Sequence, residues 1–272
     1  MTRPPTPLSR LHERFGRETM LAPGRLVNVS NAALLMLVLL AWSAAAKSKS
    51  PPREHHDAWG SIVLNGEKTK VHWTDGDSFN IKDGAHVGKG TRLQGYNTLE
   101  AYGPVHSWGG WTAVELYEIA RESASAAASK EWACTTDGKE DGYHRLLIDC
   151  PELALHMVRD GFAMAYAVDG AQASKAILDA QKEAMAAKRG IWAKGATKCI
   201  VSSLHSVDEE DDTPDRAYNR VVDTRTGQAL KRPHQKKYET CEKVCESVDG
   251  DESCMVYVPF KRRYHDPPDC LK

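Results

Sequence analysis

The residues best suited to chemistry lie in two short segments and one turn. Thr74 to Ile81 reads TDGDSFNI, Arg92 to Glu100 reads RLQGYNTLE, and Tyr143-His144-Arg145 follows some forty positions on. Cleaving a phosphodiester requires a cation to neutralise and orient the phosphate, a carboxylate to act on water, and fixed cationic donors for the developing charge. Arginine suits the last task because its planar fork matches two phosphate oxygens. The segments supply that kit: an acid after a tight turn, an arginine on the next strand but one, an amide-hydroxyl-carboxylate cluster at that strand's exit, and a second arginine in a polar hairpin. Each piece alone is common. An Asp-Gly-Asp turn has many uses, and an arginine on a polar hairpin is more often solvated than catalytic.

Taken in order and spacing, the segments resemble the staphylococcal nuclease (thermonuclease-like) family, whose pattern is D-G-D-T, then R-L-x-x-x-D-T-P-E, then Y-G-R. The likeness runs on through Tyr102-Gly103-Pro104, through Val158 to Val168 (VRDGFAMAYAV) and through Ala184 to Trp192 (AMAAKRGIW), covering roughly residues 60 to 194. It implies a mainly β, α+β fold: a five-stranded OB-fold barrel with three helices. It also implies an endonuclease acting on DNA and RNA with little sequence preference and leaving 3′-phosphates. By this resemblance Asp77, Asn97 and the Thr98 carbonyl would hold Ca²⁺, and Asp75 would order water around it. Glu100 would activate the attacking water, Arg92 and Arg145 would bind the scissile phosphate, and Tyr143 would bind its neighbour.

Four positions depart from that pattern. Asn97 stands where the family has aspartate, which removes a negative charge and implies weaker calcium binding or another divalent ion. Ser78 replaces threonine, Leu99 replaces proline and His144 replaces glycine. The departure at 97 leaves a second expectation: a catalytically weakened OB module that binds nucleic acid or an envelope partner.

The elements that must position these groups are visible as periodicities. Short alternating runs at Lys70 to Trp73, Ser78 to Ile81 and Gly90 to Leu93 read as strands broken by Asp75-Gly76 and Asp83-Gly84. Ala113, Leu116, Tyr117 and Ala120 make a helical stripe, with Trp108 and Trp111 ahead of it as core or rim packing. Lys130 to Cys134 and Tyr143 to Cys150 form a hairpin whose register could join Cys134 to Cys150. Pro151 opens a short helix ended by Gly161. A longer helix buries Ala173, Ala176, Ile177, Ala180, Ala184 and Ala187, with Lys188 and Arg189 in its last turn and Gly190 as cap. Beyond Lys198 an acidic run at Asp208 to Asp212 reads as a solvated loop. Then come a hairpin over Val221 to Leu230, a helical turn sharing Cys241 and Cys245 on one face, and a strand at Met255 to Phe260.

Bulk properties frame these elements. The chain has 272 residues with 36 Lys+Arg against 37 Asp+Glu, a net charge of −1. That excludes gripping nucleic acid by a global positive field and leaves the work to a few placed arginines. Residues 1–46 read as a signal peptide: five arginines, an apolar run from Ala32 to Ala46, and an Ala-x-Ala site. The run is shorter than the roughly 20 residues of a bilayer span, so an uncleaved anchor is the minor reading, and Met20 is an alternative start. Removal would leave about −4. Residues 47–58 read as a polar linker in which His55-His56-Asp57 is more simply solvated than metal-binding. The nuclease-like domain is expected over 59–197 and a small cysteine-containing appendage over 198–272. All seven cysteines follow the signal, and in a secreted or periplasmic monomer without stable membrane association they are expected to form disulfides, one left unpaired, with zinc as the weaker alternative.

Overall fold

The computed structural model describes residues 58–168, 170–209 and 217–272. The expected signal segment, the His55-His56-Asp57 group and most of the linker lie outside them, as does part of the acidic run. Among the described residues no helix is long and apolar enough to cross a membrane.

The first described element is a hairpin of β1 (Ala58–Leu64) and β2 (Glu67–Trp73), paired from Ala58 with Trp73 to Leu64 with Glu67. Asn65 and Gly66 turn it, both at positive φ (50° and 90°), the conformation that favours Asn-Gly in two-residue hairpins. The sheet extends to β3 (Phe79–Ile81) on one side and, in parallel, to β7 (Trp132–Cys134) on the other. Alternate residues Ile62, Leu64, Val71, Trp73, Phe79 and Ile81 are buried and form this sheet's share of the main core. Outside that sheet, β4 (Thr91–Leu93) pairs in parallel with β8 (Leu146–Ile148), and β5 (Tyr96–Thr98) pairs antiparallel with β9 (Ala163–Ala165).

The fold is α+β and mainly β, but these ladders do not close into one continuous five-stranded barrel. The sheet edges at β3 and β4 meet through the single bridge Asn80–Gly90, and the ends of β7 and β8 through Thr135–Asp149. Strands of three residues are too short to carry a full ladder on both sides. The expected hairpin survives as two antiparallel bridges, Thr135–Asp149 and Glu140–Leu146, with a further bond from the Leu147 N–H to the Lys139 carbonyl, and Cys134 and Cys150 lie beside the first in a disulfide, Cα–Cα 4.3 Å.

Three helices cover the β core. In α1 (Ala113–Ala127) a reciprocal cap between Thr112 and Glu115 fixes the start, and Leu116, Ala120, Ser123, Ala124 and Ala127 face inward. Pro151 opens α2 (Pro151–Arg159). In α3 (Lys175–Ala186) the buried face is Ile177, Ala180, Gln181 and Ala184. Ala176 and Ala187 are exposed, so the expected stripe was too broad, and Lys188 leaves the helix at positive φ. Trp108 is buried, and Trp111 donates its indole N–H to the Ile191 carbonyl at 2.9 Å, both packing roles as expected.

The region after 198 differs most from expectation. It adds a sheet of β10 (Cys199–Leu204), β11 (Tyr218–Asp223) and β12 (Gln228–Pro233). It adds a second of β13 (Lys243–Val248) and β14 (Asp251–Val256), which pairs with β6 (His106–Trp108) of the preceding domain. It is therefore part of the fold rather than an appendage. Ile200, Val222 and Ala229 join the core around Trp192, and Tyr102 and Val105 join a core made otherwise of downstream residues. The hairpin at Val221–Leu230 is present in that register. The last strand ends at Val256 rather than spanning Met255 to Phe260, because Pro259 opens a fourth, short helix, α4 (Phe260–Arg263). Cys241 and Cys245 share no helical turn: Cys241 sits in a turn at φ 72° bonded to Cys270, and Cys245 lies on β13 bonded to Cys254 opposite it on β14. Cys199 is the unpaired thiol and is buried.

Candidate active site

The turn between β2 and β3 is built around Asp75 and Gly76. Asp75 Oδ1 accepts hydrogen bonds from the Asp77 backbone N–H (3.0 Å) and from Ser78 Oγ (2.7 Å), a side chain closing its own turn. Gly76 runs so close to its neighbours that an added Cβ would meet Thr98 Cγ2 at 2.6 Å and Met157 Cε and Ser123 Cβ at 2.8 Å. Its carbonyl accepts from Tyr96 Oη at 2.7 Å. The turn thus presents the buried Asp77 carboxylate to β4 and β5. Burial, and then the charge of Asp77, holds the Asp75 carboxyl above its ordinary range, against the pull of the Ser78 hydroxyl.

Strand β4 is pinned to this turn by Thr91 Oγ1, which accepts from the Phe79 N–H and donates to the Phe79 carbonyl. Arg92 then reaches both expected ligands. Its guanidinium donates to Asp77 Oδ1 at 2.6 Å and to Asn97 Oδ1. Asp77 Oδ2 accepts from the Thr98 N–H at 2.8 Å, and Asn97 Nδ2 donates to the Thr98 carbonyl. Asp77 Oδ1, Asn97 Oδ1 and the Thr98 carbonyl are therefore three hard oxygen donors in one hydrogen-bonded cluster, two of them already bridged by a cationic group. Such a donor set fits a hard divalent cation such as calcium, with one formal charge among the three.

Glu100 follows directly. Its backbone N–H donates to Nε2 of the buried His106 at 3.1 Å, which fixes where the carboxylate leaves the strand. Burial raises the Glu100 carboxyl above its usual range. Arg263 opposes this most strongly, ahead of Arg92 and Arg145, while Asp77 adds to the rise. Arg145 is held by Asp141, Nε to Oδ2 at 2.8 Å. Burial works to raise the Asp141 carboxyl, but hydrogen bonds from Arg145 and Tyr143 outweigh it and hold it low. Tyr143 is 64% exposed at the rim, with its ring 5.7 Å from the Arg145 guanidinium carbon.

Asp75, Asp77, Arg92, Asn97 and Thr98 thus form one bonded cluster; Glu100 feels the charges of Asp77, Arg92 and Arg145, and Tyr143 lies beside Arg145. The two backbone-shaping departures have local explanations. His144 adopts φ 62°, the left-handed region where glycine is at ease, and Leu99 is buried beside Trp108 and Leu116. Sequence reasoning missed His106, Asp141 and Arg263. The last lies in Phe260 to Tyr264 (FKRRY), a basic run between aromatics that was legible but stands far from the motif residues. The zinc alternative fails. Among the described residues the grouping of Cys245, Glu252 and Cys254 has both sulfurs joined in a disulfide, leaving no thiolates for a metal. A separate hollow of about 250 Å³ lined by Val168, Arg220 and Lys231 contains none of the site residues.

Comparison with known proteins finds one family. The model described as Staphylococcal nuclease homologue matches residues 104–194, so this part of the chain carries the resemblance read from the sequence. Tyr143 and Arg145 lie inside the match, while Asp75 to Glu100 precede it. No curated protein matches the chain.

Proposed function

We propose that the chain is an exported, divalent-cation-dependent endonuclease that hydrolyses phosphodiester bonds of DNA and RNA, leaving 3′-phosphates. The observation that carries the reading is the convergence of Asp77, Arg92, Asn97 and Thr98 in one cluster with Glu100 at its exit. The family match over 104–194 supports a nuclease-type activity. Asp77, Asn97 and the Thr98 carbonyl would hold the cation, calcium being the first candidate. When bound, it supplies charge neutralisation and orientation of the phosphate. Glu100 takes the proton of the attacking water. Its carboxyl, raised by burial, is a better base than an exposed one while the three arginines keep it ionisable. Arg92 and Arg145 hold the phosphate oxygens and stabilise the charge that develops on them. Tyr143, exposed at the rim, hydrogen-bonds the neighbouring phosphate. The three disulfides support an oxidising, extracytoplasmic location.

Glu100→Gln and Arg145→Ala should each lower plasmid cleavage by roughly 10²-fold or more with unchanged circular dichroism. Full activity in either would remove the assignment. The binding-module reading rests on Asn97. It wins if the protein binds DNA but leaves it uncut across millimolar Ca²⁺, Mg²⁺ and Mn²⁺.

A further inference from the structure

The proposed chemistry does not use α4, yet α4 stands at its edge. The segment Phe260-Lys261-Arg262-Arg263-Tyr264 places three consecutive cations between two aromatic side chains. Phe260 is 68% exposed and Tyr264 54% exposed, an unusual display for rings of that size. Arg263 lies between them and over Tyr102, its guanidinium carbon 5.0 Å from the Tyr102 ring and 5.7 Å from that of Phe260. Tyr264 packs edge-on to Tyr102 at 6.1 Å. Tyr102 comes two residues after Glu100, so the aromatic-arginine group adjoins the catalytic carboxylate. Burial and then the charges of Glu100 and Asp75 act on the Tyr264 phenol, placing it on the same face.

This corner is built rather than incidental. β14 pairs with β6, the strand after Glu100. Leu271 seats on Gly103 so tightly that a Cβ there would lie 2.4 Å from its Cδ2, and the Cys241–Cys270 disulfide closes the segment that follows α4. Arg263 Nε is fixed on the Val258 carbonyl at 3.1 Å. The Phe260 ring and the outer face of the Tyr264 ring stay exposed, while Tyr264 is braced on Tyr102 and its hydroxyl end is buried near Glu100.

We infer that Phe260, Arg263 and Tyr264 form a ledge that binds single-stranded nucleic acid next to the cleavage site, the two rings stacking on unpaired bases and Arg263 with Lys261 holding the intervening phosphate. Exposed aromatics interleaved with cations are what sequence-tolerant strand binding requires. A duplex keeps its base faces stacked inside, so only a single strand or a locally opened end can use both rings. The ledge rests on the nuclease reading for its purpose but not for its detection. It makes the enzyme one that prefers unpaired substrate and positions the strand for the Glu100 side.

The test is anisotropy of fluorescent single-stranded and duplex oligonucleotides of equal length, titrated in chelator so that nothing is cut. Wild type should bind the single strand more tightly. Phe260→Ala and Tyr264→Ala should each weaken that binding about tenfold and leave duplex binding unchanged, with Tyr264→Phe restoring it. Lys261→Glu should flatten the dependence of log K on log salt by about 0.7 per lost phosphate contact. Phe260 and Lys261 project into solvent, so their variants fold irrespective of the answer. Equal affinity of wild type and Phe260→Ala for the single strand, or equal loss on duplex, overturns the ledge. Wild type that binds the single strand through the ledge yet leaves it uncut in millimolar Ca²⁺, Mg²⁺ and Mn²⁺ would overturn the nuclease reading and leave the ledge standing, so the two fail separately.

Discussion

With asparagine at 97, the three oxygen donors around Arg92 carry only the charge of Asp77. Asn97→Asp should therefore tighten divalent-cation binding by about tenfold, read by calorimetry, since affinity in oxygen sites follows the count of charged ligands. Equal affinity in the two proteins would mean that position 97 does not contact the cation. His106 makes a different kind of contribution. Burial pushes it down from 6.5 to about 4, the nearby Val201 backbone acting weakly the other way. Between those values the unfolded chain binds a proton that the folded chain does not. Stability is thus intact above about pH 6.5 and falls as pH drops toward 4, by up to roughly 3 kcal/mol from this residue. Urea melts at pH 7 and pH 4.5 should show that loss in wild type and a smaller one in His106→Gln. The two motif departures Asn97 and His144 could be seen in the sequence. The role of His106 could not, because a lone histidine gives no sign of whose N–H it will accept.

At the scale of elements, the turn carrying Asp77 is the sensitive piece. Gly76 has no room for a methyl group between Thr98, Ser123 and Met157. Gly76→Ala should cost roughly 1–3 kcal/mol by overpacking and, by pushing the turn off β5, lower activity more than the stability loss explains. Chemical denaturation alongside kcat measurements checks both. The strands and helices near the motifs were largely legible: periodicity located the inward faces of β2 and β3 and, in Leu116 and Ala120, part of that of α1, whose expected Ala113 and Tyr117 are only half-buried, and Pro151 and Gly161 bounded α2. The strongest hairpin signal, Asn65-Gly66, went unread. The limits of α3 were set too wide because alanine suits both a buried and an exposed helix face, so its spacing alone cannot say which alanines face inward. Gln181 shows why some burial escapes the sequence altogether. It accepts from the Ala165 N–H at 2.7 Å and donates to the Thr224 carbonyl, satisfying groups on two elements that only the folded chain brings together.

For the whole molecule, the decisive fact is that the strand after Glu100 is finished by β14. A chain truncated after residue 197 would leave the edge of β6 unpaired and strip partners from Tyr102, Val105 and Trp192. It should fail to give a cooperative thermal transition and should aggregate through that edge. A sharp transition in the truncated chain would restore the simpler picture of a domain with an appendage. Nothing in the composition beyond residue 198 announces this, since pairing between distant strands leaves no local periodic trace. The same pairing has a meaning for the cell that makes the protein. On the proposed reading the protein would endanger the genome and transcripts of the cell that makes it, and the loop bearing Glu100 gains its support only when residues made far later have arrived and the Cys241–Cys270 and Cys245–Cys254 bonds have formed. On the exported reading, those bonds close outside the reducing cytoplasm, so the order of synthesis and oxidation itself withholds the weapon until its maker is out of reach.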